Sequence, residues 1–124
     1  MTIESGKVGP EGLGQYVRRA SLESSVWYVG NLFTILAGSE DTGGRFALIE
    51  ILARKGTEPP RHVHHRGDET FYVLEGEISF YIGNETYVAT PGTFVFAPRG
   101  IPHSFVFETD VVRKLVTLTP GGGR

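Results

Sequence analysis

Three histidines and one glutamate have the residue types and the spacing to bind one transition-metal ion. His62 and His64 are two positions apart, Glu69 follows five residues later, and His103 lies far downstream. Because side chains alternate faces along an extended strand, the first two imidazoles point the same way and can close on one ion. On a helix the same spacing would separate them by about 200°. The pattern predicts a mononuclear metal site with His62, His64, Glu69 and His103 as ligands.

The chain around these four residues predicts how they are brought together. Glu69 opens an apolar run after the polar turn 66–68, so an antiparallel strand adjacent to the His62–His64 strand is expected to carry its carboxylate to the ion. His103 is expected to arrive from a separate strand.

The rest of the sequence predicts an all-β fold. Its apolar runs are of strand length and rich in β-branched and aromatic residues; they cover 26–29, 32–37, 46–53, 70–74, 78–82, 86–89, 93–97, 104–107 and 111–118. Turn residues stand at 76–77, 83–84 and 91–92, and tight hairpins are expected at the first two. A single short helix is predicted near 11–21.

Two stretches resemble the motifs of the cupin superfamily. The first runs from Gly56 through the His62–His64 pair and Glu69 to Gly76, and the second runs from Gly92 to His103. The second motif usually ends in Asn four residues after its histidine, where this chain has Phe107. That Asn is not a ligand in the family, so the departure concerns packing. The sequence around both motifs is similar to small, single-domain bacterial cupins of the quercetin-dioxygenase-like group.

The resemblance implies a double-stranded β-helix, which is a small antiparallel barrel of the jelly-roll class. Length and composition agree with one compact domain: 124 residues allow a real core but no second domain. We predict an N-terminal segment over 1–22, the barrel domain over 23–120, and a tail over 121–124.

Composition excludes several kinds of site and partner. Cysteine is absent, which rules out disulfides, thiolate metal ligands and cysteine nucleophiles. The net charge is −2 and no lysine or arginine stripe is present, so neither nucleic acid nor an anionic membrane is an expected partner. No leader segment or long apolar span is evident, so a cytoplasmic location is expected.

Each site residue has an alternative interpretation. Next to His64, His65 points to the opposite face, which favours a surface or supporting role over ligation. Glu50 is a weak candidate for a second inward carboxylate. The metal site could also be degenerate and empty, although the presence of all four ligands argues against this.

The residues that share a face with the ligands predict the pocket. Positions an even number of residues from Glu69 and His103 are Phe71, Val73, Phe105 and Phe107, so the lining is expected to be aromatic and apolar. Such a lining suits a flat organic substrate better than a sugar or a phosphate. Equally, these side chains could simply fill a small barrel.

Two function hypotheses follow. The first is a dioxygenase that holds Fe(II), or else Mn, Ni or Co, and acts on a small planar or enolisable molecule; the resemblance implies that Glu69 can be both ligand and proton acceptor. The second is a non-oxidative cupin that uses Zn or Ni as a Lewis acid (an isomerase, cyclase or lyase), or a binding protein without turnover. The ligand set does not decide between them.

Small cupins commonly pair through edge strands, and the apolar run 26–37 therefore predicts a homodimer.

Overall fold

The computed structural model describes residues 14–121, and their regular structure is nine β-strands and two 3₁₀ turns. The turns are Leu22–Ser24 and Ser39–Asp41. The strands are β1 (Ser25–Tyr28), β2 (Asn31–Ala37), β3 (Ala47–Arg54), β4 (Asp68–Glu75), β5 (Ile78–Ile82), β6 (Glu85–Ala89), β7 (Phe94–Ala97), β8 (His103–Phe107) and β9 (Val111–Thr119). Every apolar run predicted from the sequence is a strand, with ends that differ by at most two residues.

The strands form two antiparallel sheets. The larger sheet has the order β1-β2-β3-β9-β4-β7, and the smaller has the order β6-β5-β8. From β4 onwards the chain moves between them: β5 and β6 lie in the small sheet, β7 in the large one, β8 in the small one and β9 in the large one. This winding is that of a jelly roll, so the predicted all-β fold class is confirmed.

The core lies between the two sheets and is mainly aromatic and β-branched. Phe71 of the large sheet packs against Phe80 and Phe105 of the small sheet, with ring centroids 4.9 and 5.7 Å apart. Each fully buried phenylalanine stabilises the fold by about 2 kcal/mol through the area that it removes from water. Alternation along the strands places these rings on the inner faces, as predicted from the ligand positions for Phe71 and Phe105.

Two local predictions were wrong. Residues 14–21 of the predicted helix are not helical, and residues 11–13 lie outside the described part of the chain. Instead, this segment is fixed by its side chains to β2 and the following turn: the Tyr16 hydroxyl donates to the Leu36 carbonyl at 2.8 Å, and Arg18 pairs with Asp41 at 2.8 Å. These side-chain anchors outweigh a weak local helix preference.

The turn at residues 76–77 is not a hairpin either. Strand β4 lies in the large sheet and β5 in the small one, so Gly76 takes the chain across from one sheet to the other. The turn at residues 83–84 does form the predicted hairpin, in which Ile82 pairs with Glu85. None of the described residues forms a helix of the length and hydropathy needed to cross a membrane.

Candidate metal centre

The two histidine-bearing segments are held together by their backbones. His62 belongs to no ladder, but it forms an isolated antiparallel bridge with His103 at the start of β8. The His62 N–H donates to the His103 carbonyl at 3.0 Å, and the His103 N–H donates back at 2.8 Å. His64 projects beside His62, with ring centroids 5.0 Å apart. The segment is thus extended as predicted, although it is not a strand of either sheet.

Glu69 comes from the large sheet, whereas the histidine segments lie on the side of the small sheet. It lies on β4, paired with Ala97 on one side and Leu118 on the other, and it faces the histidines across the barrel interior. The predicted adjacency of its strand to the His62–His64 segment is therefore wrong. The residues meet because both segments point inward at the same end of the barrel.

A single carboxylate oxygen forms the hub of the cluster. Glu69 Oε1 is 3.0 Å from His103 Nε2, 3.3 Å from His64 Nε2 and 3.9 Å from His62 Nε2. All four candidate ligand atoms lie within 4.8 Å of one another. Two donors that each bind one ion at about 2.1 Å are about 3.0 Å apart at a right angle and about 4.2 Å apart when opposed. The donor spacing therefore fits one divalent ion with modest side-chain adjustment.

The ring nitrogens that face away from the cluster are also engaged. His62 Nδ1 is 3.0 Å from the Pro60 carbonyl, and His103 Nδ1 is 3.3 Å from the Ile101 carbonyl. A carbonyl can only accept, so Nδ1 of both rings carries the hydrogen and Nε2 is left for the site. This fixed tautomer is typical of metal-binding histidines.

The ionisation of Glu69 and that of His103 affect metal binding in opposite ways. Burial raises the pKa of Glu69, but the hydrogen bond from His103 and the nearby positive charges outweigh it and hold that pKa below its usual value. The same hydrogen bond raises the pKa of His103, against the effect of burial. A proton on His103 Nε2 thus occupies the position where a metal ion would bind, and metal binding must displace it.

Exposure is graded across the site. The His103 side chain is 2% exposed, whereas those of His64 and His62 are 26% and 34% exposed. His65 is exposed and lies outside the cluster, in agreement with its predicted surface position. A ligand therefore reaches the cluster from the His62 and His64 side.

Two acidic residues that the sequence analysis did not single out hold the surrounding loops. The Glu58 carboxylate accepts the backbone N–H groups of Gly56 and Phe107, each at 2.8 Å, and so ties the His62 segment to the end of β8. Asp68 accepts from the backbone and guanidinium of Arg99 at 2.9 to 3.2 Å, which fixes the turn before His103 to the start of β4. Phe107 occupies the position at which the family motif has Asn. Its backbone N–H donates the hydrogen bond to Glu58.

A cavity of about 330 Å³ opens beside the cluster. Three of the four predicted pocket residues line it, namely Phe71, Phe105 and Phe107. Val73 shares their face but is fully buried in the core and is not among the lining residues, because its position on β4 is farther from the metal end. Tyr28, the last residue of β1, and Val29, in the β1–β2 turn, also contribute to the wall.

A buried lysine also lines the cavity. Lys114, on β9, is 2% exposed, and its Nζ lies 3.6 Å from the ring centroid of Phe105 and 5.2 Å from those of Phe71 and Phe107. Burial lowers its pKa to about 7, although the charges of Glu69 and Glu58 act in the opposite direction. Lys114 was not predicted from the sequence, although a signal was present: the positions two residues away on either side, 112 and 116, are inward-facing valines.

Glu50, the weak candidate for an inward carboxylate, does not face the cavity. Its neighbour Ile51 lines the cavity, so Glu50 lies on the other face of β3, where it pairs with Arg113.

Comparison with known proteins agrees with the fold and the motifs. The cupin domain pattern matches residues 49–121, which is more than half of the chain. The chain is 27% identical over 112 residues to quercetin 2,3-dioxygenase of Bacillus subtilis, a match that spans 90% of this chain but 33% of that protein.

Among solved structures, the TT1209 protein of Thermus thermophilus is 27% identical, with a TM-score of 0.63 over 82% of this chain and 89% of that one. The cupin domain of Cnp3 from Schizosaccharomyces pombe has a TM-score of 0.70 at 22% identity, over 84% of this chain and 74% of that one. The motifs, the two-sheet barrel and the matched domain lead to one conclusion: this chain belongs to the cupin family.

Proposed function

We propose that this cupin is a mononuclear metal-dependent dioxygenase that acts on a small planar, enolisable organic molecule. The observation that carries the proposal is the position of Glu69 Oε1, which lies among three imidazole nitrogens at the edge of an aromatic cavity. The similarity to a quercetin dioxygenase supports the same reaction class. Because this chain spans a third of that relative, the activity is a proposal for this protein.

The proposed metal ligands are His62, His64, His103 and Glu69. The donor set of three imidazoles and one carboxylate suits Fe(II), which we propose, and also Mn, Ni, Co or Zn. When bound, such an ion supplies a Lewis acid for an enolate oxygen and an open position for O₂.

The protein's own groups supply binding, orientation and proton transfer. Phe71, Phe105 and Phe107 are placed to contact the faces and edges of a flat substrate and to exclude water from it. Glu69 is the proposed catalytic base: its carboxylate would take the proton that the substrate loses on becoming an enolate. The backbone bridge between His62 and His103 keeps the imidazoles in place while this happens.

The proposal extends to partners and location. The ligand is a small organic molecule rather than nucleic acid or a membrane, because the chain has a net charge of −2 and no basic stripe. A cytoplasmic location and a homodimer remain predictions from the sequence.

An oxygen-uptake screen tests the reaction class. The protein is freed of metal, reconstituted with Fe(II), Mn(II) or Ni(II) without air, and mixed with flavonols, 1,3-diketones or catechols. We expect substrate-dependent O₂ consumption with at least one metal. His103→Ala protein and metal without protein are the controls for free-metal oxidation. No uptake with any metal, together with isomerisation or cyclisation of one of these compounds, would support the non-oxidative alternative instead.

A further inference from the structure

Lys114 carries a buried amine that has no polar partner in the described part of the chain. Among the described residues its Nζ makes no hydrogen bond and no ion pair; its contacts are the three phenylalanine rings. The nitrogen lies closest to Phe105, and Lys114 lines the same cavity as the proposed ligands His62, His64 and Glu69. Contact with aromatic faces stabilises a desolvated ammonium group by less than the removal of its charge from water costs.

The nearby carboxylates do not neutralise it directly. Glu58 and Glu69 both attract Lys114, but Glu58 is occupied by two backbone N–H groups and Glu69 by the histidines. The residues beside Lys114 on the adjacent strands are Ile51 and Val73, which are apolar. The Lys114 amine thus borders the cavity and has no hydrogen-bond acceptor among residues 14–121.

Packing does not require a lysine here. Val112 and Val116 occupy the same face of β9 and are buried, so this face accommodates apolar side chains. A methionine would fill a similar volume without the cost of a buried amine. The amine therefore points to a ligand that supplies the acceptor.

We propose that Lys114 binds an anionic oxygen of the ligand, and that the cavity therefore takes a planar organic anion rather than a neutral molecule. The inference builds on the proposed function in one respect, namely that the substrate binds in this cavity. The anionic group is a carboxylate or a phenolate-type oxygen, and the flat part of the molecule lies against Phe71 and Phe105.

The placement of Phe71 limits the distance between the histidine cluster and Lys114. Its ring centroid is 6.3 Å from the His103 ring and 5.2 Å from Lys114 Nζ. The imidazole and the amine are therefore no farther apart than these two distances added together, and a two-ring organic molecule is long enough to reach from one to the other. An anion held by Lys114 would present its other end to the histidine cluster.

Calorimetric titration with two matched probes tests the proposal. The probes are 2-naphthoate and its neutral analogue 2-naphthamide, applied to protein without metal and to protein loaded with Ni(II). We expect metal-free wild-type protein to bind naphthoate at least about tenfold more tightly than naphthamide. Lys114→Met should abolish this preference and leave naphthamide affinity within about twofold. Lys55→Met is the matched control, because it removes the same charge from an exposed position and should keep the preference.

The outcomes separate this proposal from the metal chemistry. A naphthoate preference that survives Lys114→Met, or is absent from wild-type protein, would overturn the role of Lys114. If the preference appears only with Ni(II) and persists in the variant, the anion binds the ion, and the metal-dependent function still stands. A lysine-dependent preference in a protein that consumes no O₂ with any substrate would leave the anion site standing and remove the dioxygenase. To distinguish carboxylate from phenolate, a nitronaphthol that is ionised at about pH 6 is titrated at that pH, where Lys114 is protonated.

A second measurement does not depend on a folded variant. The chain has three lysines, at positions 7, 55 and 114, so protein labelled with ¹³C at the lysine ε-carbon gives three assignable signals. Naphthoate should shift the Lys114 signal and naphthamide should not. An unmoved Lys114 signal at saturating naphthoate would refute direct contact.

To distinguish a specific site from weak anion attraction, phenolate and carboxylate probes are compared with acetate. Acetate carries the charge without the flat apolar part. We expect it to shift the Lys114 signal only at concentrations at least about a hundredfold higher than naphthoate requires. Equal potency of acetate and naphthoate would contradict the proposed role of the aromatic wall.

Discussion

Two side chains at the cavity, Glu69 and Lys114, have ionisation properties that differ from those of the same groups in water, and both differences have measurable effects. Burial opposes ionisation at each residue, but Glu69 is compensated by the histidines, whereas Lys114 has no direct partner within residues 14–121. The histidines therefore lower the pKa of Glu69 despite its burial. Burial lowers the pKa of Lys114 to about 7. The lowered pKa of Glu69 keeps its carboxylate ionised and available as a ligand. The lowered pKa of Lys114 means that protonating its amine destabilises the native state.

For Glu69 we predict different effects on metal content and on turnover. Glu69→Gln leaves the three imidazoles in place, so metal content should fall little, whereas loss of the base should slow turnover by about 10²-fold or more. Elemental analysis and initial rates on the same preparations check this. If metal content and rate decline in proportion, Glu69 acts only by holding the ion.

For Lys114 we predict a pH-dependent stability cost. Its pKa in the native protein is about 7, well below that of an unfolded lysine, which is about 10.4. Between these values the unfolded chain binds a proton that the native protein does not, so stability rises with pH by about 1.4 kcal/mol per pH unit. Lys114→Met should lack this rise and should be the more stable protein at pH 7. Urea unfolding of both proteins from pH 7 to 10 measures the rise in stability and the difference at pH 7. If the unfolding free energies of the two proteins change with pH in parallel, the lowered pKa of Lys114 is contradicted.

At the scale of elements, the crossings between sheets place strict demands on the backbone. Gly76 carries the chain from β4 towards β5 with a φ of +83°, and a Cβ there would lie 2.5 Å from the Val111 carbonyl oxygen and 2.6 Å from Thr109 Oγ1. Gly92 has a similar φ of +92°, but a Cβ there would meet nothing within 4 Å. The two glycines therefore differ in their packing and not in their backbone conformation.

This difference gives a matched pair of variants. Gly92→Ala should cost about 1–2 kcal/mol, because alanine is unfavourable at positive φ. Gly76→Ala should cost about 1–3 kcal/mol more, because the added methyl group also has to displace the backbone of residues 109–112. Equal losses of unfolding free energy in the two variants would show that the close approach at Gly76 is relieved without cost.

The sequence predicted elements better than it predicted their pairing. Strand positions follow from alternation and β-branched composition, and all nine were found. Which strands pair is decided by contacts far apart in sequence, so the hairpin expected at Gly76 and the expected adjacency of the Glu69 strand were both wrong. The short helix was wrong because the hydrogen bond from Tyr16 and the ion pair of Arg18 hold that segment against β2.

In the site, too, some residues could be predicted from the sequence and others could not. Spacing and motif identified all four members of the cluster, because the two histidines share one face and the motif match pairs them with Glu69 and His103. Lys114 and Glu58 were missed because their roles depend on the burial and the backbone contacts that the fold creates around them. A charged residue between two inward valines on one strand is the pattern that would have revealed the lysine.

At the scale of the whole molecule, the large sheet ends in an apolar edge. Strand β1 is the outermost strand, and Val26, Trp27 and Tyr28 are 57%, 66% and 66% exposed. Exposed apolar edge strands favour association with another chain. We therefore propose that the predicted homodimer forms through β1.

Sedimentation equilibrium at micromolar concentration checks this proposal. We expect a mass of twice the 13.6 kDa chain, and a Trp27→Asp variant that shifts the protein towards monomer. Phe94→Asp is the control, since Phe94 is 62% exposed on the opposite edge strand, β7, and should not affect a β1 interface. A wild-type mass near that of one chain would refute the dimer, and dissociation by Phe94→Asp alone would move the interface to β7.

The central claim is that His62, His64, Glu69 and His103 hold one divalent metal ion, and elemental analysis of single-histidine variants tests it most directly. After loading and removal of excess metal, wild-type protein and His65→Ala should each contain about one ion per chain. His62→Ala, His64→Ala and His103→Ala should lose most of it, because each removes a donor from the cluster. Wild-type protein that retains no metal, or His65→Ala protein that loses metal as fully as the other three variants, would contradict the assignment.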